Sequence, residues 1–186
     1  MILEILAIGA GAVAIGAWVR RRRKAREAAR SAPVTPPPRV DGDIRVGDAI
    51  LHLGDDFLVV SETRFEEEGP AFSIWTVESD GRTRFLLREA DPARTTLWLA
   101  SIDPPVPGRP PERHRQGDLD LRLRARGHAK ATRQGAEGPV PQGEVEWARF
   151  AGPGRSAMMV FSTHEDSLWL FGEETLPGML EVLPSS

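Results

Sequence analysis

Side chains that could carry out chemistry are few in this sequence and lie far apart. The 186 residues include four histidines and no cysteine, so disulfides and thiolate metal sites are excluded. His52, His114, His128 and His164 are scattered, and no two of them have the short spacing of a histidine metal motif. The sequence therefore predicts no metal ion and no cofactor.

One short run places a histidine beside two carboxylates, His164 with Glu165 and Asp166. It falls between two apolar stretches that predict strands, where consecutive polar residues are typical of a solvated turn. A catalytic or metal-binding role is the alternative. The segment 152–154 is a second turn, because its central proline lacks the N–H that a phosphate-binding loop needs. Since the sequence also has no nucleophile elbow and no dinucleotide fingerprint, we predict that the chain is not an enzyme.

An acidic run offers a different kind of site. Glu66, Glu67 and Glu68 precede Gly69 and would attract a cation or a basic partner, which makes them a candidate interaction loop. The alternative is a plain solvated loop.

The first structural element that the sequence predicts is an apolar stretch at the start of the chain. Met1–Val19 carries a single charge, Glu4. At about 1.5 Å per residue, a helix of that length spans roughly 28 Å, close to the thickness of the bilayer hydrocarbon. Small residues recur every four positions, as at Ala7 and Gly11, and would let two such helices pack closely. We predict a single transmembrane helix with the capacity for homo-association.

Five consecutive cations from Arg20 to Lys24, the basic cluster, follow this stretch directly. Positive charge behind the helix keeps that end in the cytoplasm, whereas a secretory signal peptide carries its charge in front. The predicted membrane-interface residues, which would contact lipid headgroups, are Trp18, Arg20, Arg21, Arg22, Arg23 and Lys24. The chain is thus predicted to be a single-pass protein of the cell membrane, with its N-terminus outside and its C-terminal domain in the cytoplasm.

Charge separates this first segment from the rest of the chain. Residues 1–40 hold eight basic and two acidic residues, a balance of +6, which leaves residues 41–186 at −9 within the total of −3. Such an acidic domain would be repelled by phosphate backbones, so nucleic acid is not a predicted partner.

After residue 42, short apolar and alternating runs separated by Gly, Pro and Asp predict about ten strands. The expected fold is mainly β, an antiparallel sandwich or barrel-like domain behind one transmembrane helix. The predicted segments are the helix with its basic juxtamembrane segment (1–30), a Pro-rich linker (31–42), a first β half (43–103), a Pro-rich loop (104–117) and a second β half (118–184).

The two halves look alike. Trp75 and Trp98 are 23 residues apart, and Trp147 and Trp169 are 22 apart, with similar turns and strands between them. This repetition is consistent with a degenerate duplication and equally with shared hydrophobic patterning, and both readings stay open. In either case the four tryptophans are expected in the core rather than in a ligand cage.

The second half carries a family resemblance. The run GEVEWARFAGPGRSAMMVFSTHEDSLWLFGEETLP, from Gly143 to Pro177, resembles the bacterial family known as domain of unknown function 4178. The resemblance rests on a Trp followed by Phe150, the turn at 152–154, the late Trp169 and the pair Gly172–Glu173. It implies a membrane-anchored member of that family, β-rich and without an assigned activity, in an envelope or membrane-stress context. A glutamate expected near Phe161–Thr163 is missing, which puts any role for that acid in doubt.

Taken together, these patterns favour a membrane-tethered cytoplasmic β domain that serves as an interaction or scaffold module. Its predicted partners are the lipid bilayer and an unidentified protein. The alternative is a β domain that binds a small molecule or a lipid, since two β halves can enclose an apolar cavity.

Overall fold

The structure is a computed structural model that describes residues 43–67, 71–89, 96–102, 110–176 and 178–185. Within these ranges no helix is long and apolar enough to cross a bilayer. The predicted transmembrane helix, the basic cluster with Trp18, and the Pro-rich linker all lie outside the described residues.

Eleven strands form in the described part of the chain. Those of the first half are β1 (Ala49–His52), β2 (Asp55–Glu66), β3 (Phe72–Ser79), β4 (Arg82–Glu89) and β5 (Thr96–Ser101). Those of the second half are β6 (Arg113–Gln116), β7 (Leu119–Gly135), β8 (Gly143–Ala151), β9 (Ser156–Ser162), β10 (Ser167–Thr175) and β11 (Leu180–Leu183).

Eight of these strands close into an antiparallel barrel. Neighbouring strands follow the order β2-β3-β4-β5-β10-β9-β8-β7, and β7 pairs again with β2. Within the barrel, two long-range seams therefore join the halves, β5 with β10 and β2 with β7. The extra strands lie outside this circuit: β1 pairs with both β2 and β11, while β6 pairs with β7. The prediction of a mainly β, antiparallel domain is confirmed, and its form is a barrel with added strands.

Local sequence explains the tightest connections. Leu53 and Gly54 join β1 to β2, and Asp80 and Gly81 join β3 to β4, all four with positive φ. Two consecutive positive φ angles match the right-handed twist of a hairpin, and Gly or Asp adopts them readily. In the second turn, Asp80 and Gly81 are residue types typical of such turns. The first turn ends at Gly54, because Asp55 already pairs with His52.

Side chains fill the barrel interior. Strands of each half alternate inward and outward. The inward side chains and Val140, from the connection between β7 and β8, form one apolar cluster: Phe65, Phe72, Ile74, Phe85, Leu87, Leu97, Leu99, Ala129, Ala131, Val140, Val145, Ala157, Met159, Phe161 and Leu170. Two smaller clusters lie on the outer faces. One packs Ile50 and Phe57 with Trp75, Leu86 and Trp98, and the other packs Leu121 with Phe150, Met158, Val160 and Trp169.

The two tryptophan spacings differ by one residue, and Trp147 faces the opposite side of the sheet from the other three tryptophans of the domain. Trp75, Leu86 and Trp98 lie directly opposite one another on β3, β4 and β5 and face outward. In the second half the outward row is Ala148, Val160 and Trp169. Trp147 therefore faces inward, because successive residues of a strand point to opposite faces. Three tryptophans are buried as expected, whereas Trp147 is half-buried at one end of the barrel.

The predicted Pro-rich loop at 104–117 differs from the structure in its last residues. Arg113–Gln116 form β6, since they pair with β7 and place the His114 ring 5.2 Å from that of Trp169. Residues Leu119–Gly135 form one continuous strand, β7, with a register shift between Leu123 and Ala125. A bulge of this kind bends a strand without ending it.

Candidate ligand site at the barrel mouth

One end of the barrel, the barrel mouth, is a cavity of about 270 Å³. Its walls combine apolar side chains with charged ones: Glu67, Phe72, Leu87, Glu89, Ala125, Trp147, Arg149 and Met159. Glu89 lies opposite Phe72, Ala125 lies opposite Arg149, and Arg149 lies opposite Met159 on the adjacent strands. At this end of the strands the inward positions therefore include charged side chains, which form a rim around the mouth.

A bridging arginine organises the rim. Arg149 donates through Nη1 to Glu89 Oε1 at 2.7 Å and through Nη2 to Glu174 Oε1 at 3.3 Å. The side chains of Arg149 and Glu89 are only 21% and 19% exposed. A guanidinium held by two carboxylates from β4 and β10 has a fixed orientation, because charge-assisted hydrogen bonds on two of its nitrogens restrict rotation. The arrangement gives the mouth a rigid polar edge.

Trp147 forms the opposite wall. Its ring meets Phe72 edge-on with centroids 5.6 Å apart, and its Nε1 is buried without a protein hydrogen-bond acceptor among the described residues. Gly127 makes this packing possible, because a Cβ there would overlap Glu67 Oε1 and lie 3.0 Å from Trp147 Nε1. The indole N–H is therefore a donor without a protein acceptor beside an apolar wall.

The mouth suits an amphipathic small molecule. Phe72, Leu87 and Met159 offer apolar contact, while Trp147 Nε1 and the Arg149 rim offer directional polar contact. Ligand pockets typically combine such an apolar lining with a few fixed polar groups. The geometry supports binding and orientation of a ligand.

The acidic run predicted as one interaction loop is divided by the fold. Glu66 ends β2 and forms an exposed ion pair with Arg64 at 3.4 Å. Glu67 lines the barrel mouth, and Glu68 lies outside the described residues. The predicted membrane-interface residues lie outside them as well.

The four histidines are brought to separate places. His52 is buried, with its ring 4.5 Å from that of Trp98, and burial lowers its pKa, an effect that nearby carboxylates offset in part. His114 packs on Trp169, and His128 Nδ1 lies 4.0 Å from Glu146 on the surface. Among the described residues, no group of three His, Cys, Asp or Glu side chains could hold a metal ion.

The run from His164 to Asp166 is an exposed turn between β9 and β10. Thr163 organises it, since its Oγ1 accepts hydrogen bonds from the backbone N–H groups of Glu165 and Asp166 at 3.3 and 3.1 Å. These bonds are local, as are those from Thr163 Oγ1 to Asp166 O and from Ser167 N to Asp166 Oδ1. The predicted solvated turn agrees with this geometry.

Sequence reasoning gave no role to Arg149 or Glu89, and it expected Trp147 in the core rather than at a ligand site. The one available signal was the difference of one residue between the two tryptophan spacings, which places Trp147 on the inner face. Comparison of the chain with protein-family models, with curated proteins and with solved structures finds no match. The resemblance to domain of unknown function 4178 therefore stays a prediction.

Proposed function

We propose that this chain is a membrane-tethered binding protein whose cytoplasmic β-barrel takes a small amphipathic molecule at its mouth. The observation that carries the proposal is the cavity of about 270 Å³, where an apolar wall, a buried indole N–H and a bridged arginine meet. The tether is the apolar stretch Met1–Val19 with the basic cluster behind it.

Size and lining set the ligand class. The cavity is slightly smaller than ordinary ligand pockets, which begin at about 300 Å³, so it suits a compact ring or a short alkyl group. The polar end of such a ligand would lie against Trp147 Nε1 or against the rim of Glu89, Arg149 and Glu174. Cyclohexylamine and cyclohexanecarboxylate are suitable probes, because they share one apolar body and carry opposite charges.

A blocking variant tests the proposal. Ala125 is exposed and lines the mouth, so Ala125→Trp fills it without entering the core, and Ala136→Trp, at an exposed position just after β7, is the matched control. We expect at least one probe to bind the full-length chain in lipid nanodiscs saturably, with binding retained in the control and lost in Ala125→Trp. Equal binding by both variants would contradict the proposal.

A second candidate function, a protein-interaction or scaffold module, is favoured by an exposed apolar row. Leu58 on β2 and Leu183 on β11 both lie opposite Ala49 on β1 and are 52% and 42% exposed. Apolar side chains grouped on one exposed sheet face are a common feature of protein contact sites. Affinity capture from membranes should then recover a protein with the unaltered chain and lose it with Leu58→Glu, and recovery unchanged by the substitution would argue against this function.

A further inference from the structure

The end of the barrel opposite the mouth is closed by the chain itself. Residues 136–142, the plug segment, join β7 to β8. Val140 from this segment is 1% exposed and belongs to the barrel core. The plug segment is fixed at its start, where Ala136 N donates to Val60 O at 2.9 Å.

Polar side chains gather beneath the plug segment. Ser61 on β2 lies opposite Thr76 on β3, and Thr63 lies opposite Arg133 on β7. All four point inward. Thr63 lies opposite the core residue Ile74, Thr76 lies opposite the core residue Phe85, and Arg133 follows the inward Ala129 and Ala131 at two-residue spacing. Directly opposite side chains on paired strands have Cβ atoms about 5 Å apart, so the four form one contiguous patch.

This patch has unused donors. Thr63 Oγ1, Thr76 Oγ1 and Arg133 Nε are buried, and none of them has a hydrogen-bond partner among the protein atoms of the described residues. Arg133 does donate through Nη2 to the carbonyl of Val140. No carboxylate of a described residue lies within 4.0 Å of its guanidinium.

We propose that this patch is a binding site for a small oxyanion, of the size and charge of phosphate or sulfate. The hydroxyl groups alone could be satisfied by ordered water, which commonly bridges buried polar groups. Water leaves the half-buried guanidinium of Arg133, whose Nε is fully buried, without a counter-charge, and a charge removed from water is normally paired. An oxyanion supplies that charge and accepts from Arg133 Nε, Thr63 and Thr76 together.

The plug segment fits this role. Gly138 lies over the patch, so that a Cβ at that position would be 3.8 Å from Thr76 Oγ1 and 4.0 Å from Ser61 Oγ. The carbonyl of Val140 takes one N–H of Arg133 and leaves Nε for the anion. The site is separate from the barrel mouth, because none of its residues lines that cavity. Anion binding and ligand binding at the mouth are therefore separable in experiment.

The test uses the full-length chain with inorganic phosphate and with sulfate at constant ionic strength. A ligand at about one hundred times its Kd stabilises a protein of this size enough to raise Tm by roughly 5 °C or more. We expect a saturable rise in Tm that is lost in Arg133→Gln. Arg122→Gln is the matched control, because Arg122 is an exposed arginine on the same strand.

If Arg133→Gln folds poorly, NMR spectra of the unaltered chain provide a second test. In the unaltered chain, the Nε–H signal of Arg133 in ¹H–¹⁵N spectra should shift saturably with phosphate, and Thr63→Val should weaken that shift at least several-fold while Thr63→Ser retains it. A Tm rise that is linear in salt and equal in Arg133→Gln and Arg122→Gln, with no shift of the Nε–H signal, would overturn the proposal and leave water as the occupant.

Discussion

A methyl group added at Gly172 should disrupt the pairing between β5 and β10. Gly172 on β10 lies opposite Leu99 on β5 and opposite Ala157 on β9. A Cβ at Gly172 would overlap the carbonyl oxygen of Trp98 and lie 2.9 Å from Leu99 Cα. The obstructing atoms belong to the backbone of β5, so a change of side-chain rotamer cannot relieve the overlap. Gly172→Ala must therefore displace β5 from β10.

The expected loss is large for a single methyl group. Overpacking of a core costs about 1–3 kcal/mol when side chains can shift, and a clash with backbone at a barrel seam belongs at or above the upper end, about 3 kcal/mol. For a protein of this size each kcal/mol lowers Tm by about 2–4 °C, so we expect a fall of roughly 6–12 °C.

Urea unfolding followed by tryptophan fluorescence measures this difference, with the slope m checked for a change in the denatured state. Gly138→Ala is the matched control, because the nearest side-chain atoms would lie at ordinary contact distances of 3.8 and 4.0 Å. We expect that control to stay within about 1 kcal/mol of the unaltered chain. If Gly172→Ala unfolds at the same urea concentration as the control, the described seam between β5 and β10 is incorrect.

Three further predictions address the other parts of the molecule. Burial lowers the pKa of His52, so the unfolded chain takes up a proton first as the pH falls through 6.5; stability should therefore fall below that pH, and His52→Phe should flatten the dependence in thermal melts between pH 7.5 and 5.5. Arg149→Met removes the cation that Glu89 and Glu174 share and should cost about 1–2 kcal/mol in urea unfolding; equal stability would show that the rim is not a fixed bridge. The chain should resist carbonate extraction and keep a C-terminal reporter in the cytoplasm, and reversing the charge of the basic cluster should expose part of the reporter outside.

The parts of the fold that the sequence predicts well are local. The hairpin at Asp80 and Gly81 follows from turn chemistry, and the exposed turn at His164–Asp166 follows from polarity between two apolar runs. Inward and outward alternation likewise places Leu121 on a buried face. Each of these features depends on residues that are close in the chain.

The parts that the sequence does not predict depend on distant pairing. Closure through β2 with β7 joins residues 61–66 to residues 130–135, and nothing in either segment specifies the other. The short strand β6 forms from polar residues because β7 is present to pair with it. The barrel mouth follows from closure too, since Glu89 and Arg149 are 60 residues apart in sequence and meet only across the closed barrel.

The oxyanion site also depends on pairing of distant segments, so the sequence does not predict it. Ser61, Thr63 and Thr76 are ordinary strand residues in sequence, and Arg133 is one of many arginines. Only the register of β2 with β3 and β7 places them together. Only in the folded chain are Thr63 Oγ1, Thr76 Oγ1 and Arg133 Nε buried without a partner among the protein atoms of the described residues.

Binding at the barrel mouth is tested most directly by the indole N–H signals of the full-length chain, titrated with cyclohexylamine and with cyclohexanecarboxylate. The chain has five tryptophans, and the signal of Trp147 is assigned by its loss in Trp147→Phe. We predict that one of the two probes shifts the Trp147 Nε1–H signal saturably while those of Trp75, Trp98 and Trp169 stay in place. A Trp147 signal that neither probe moves, at concentrations up to the solubility limit, would contradict a ligand site at the mouth.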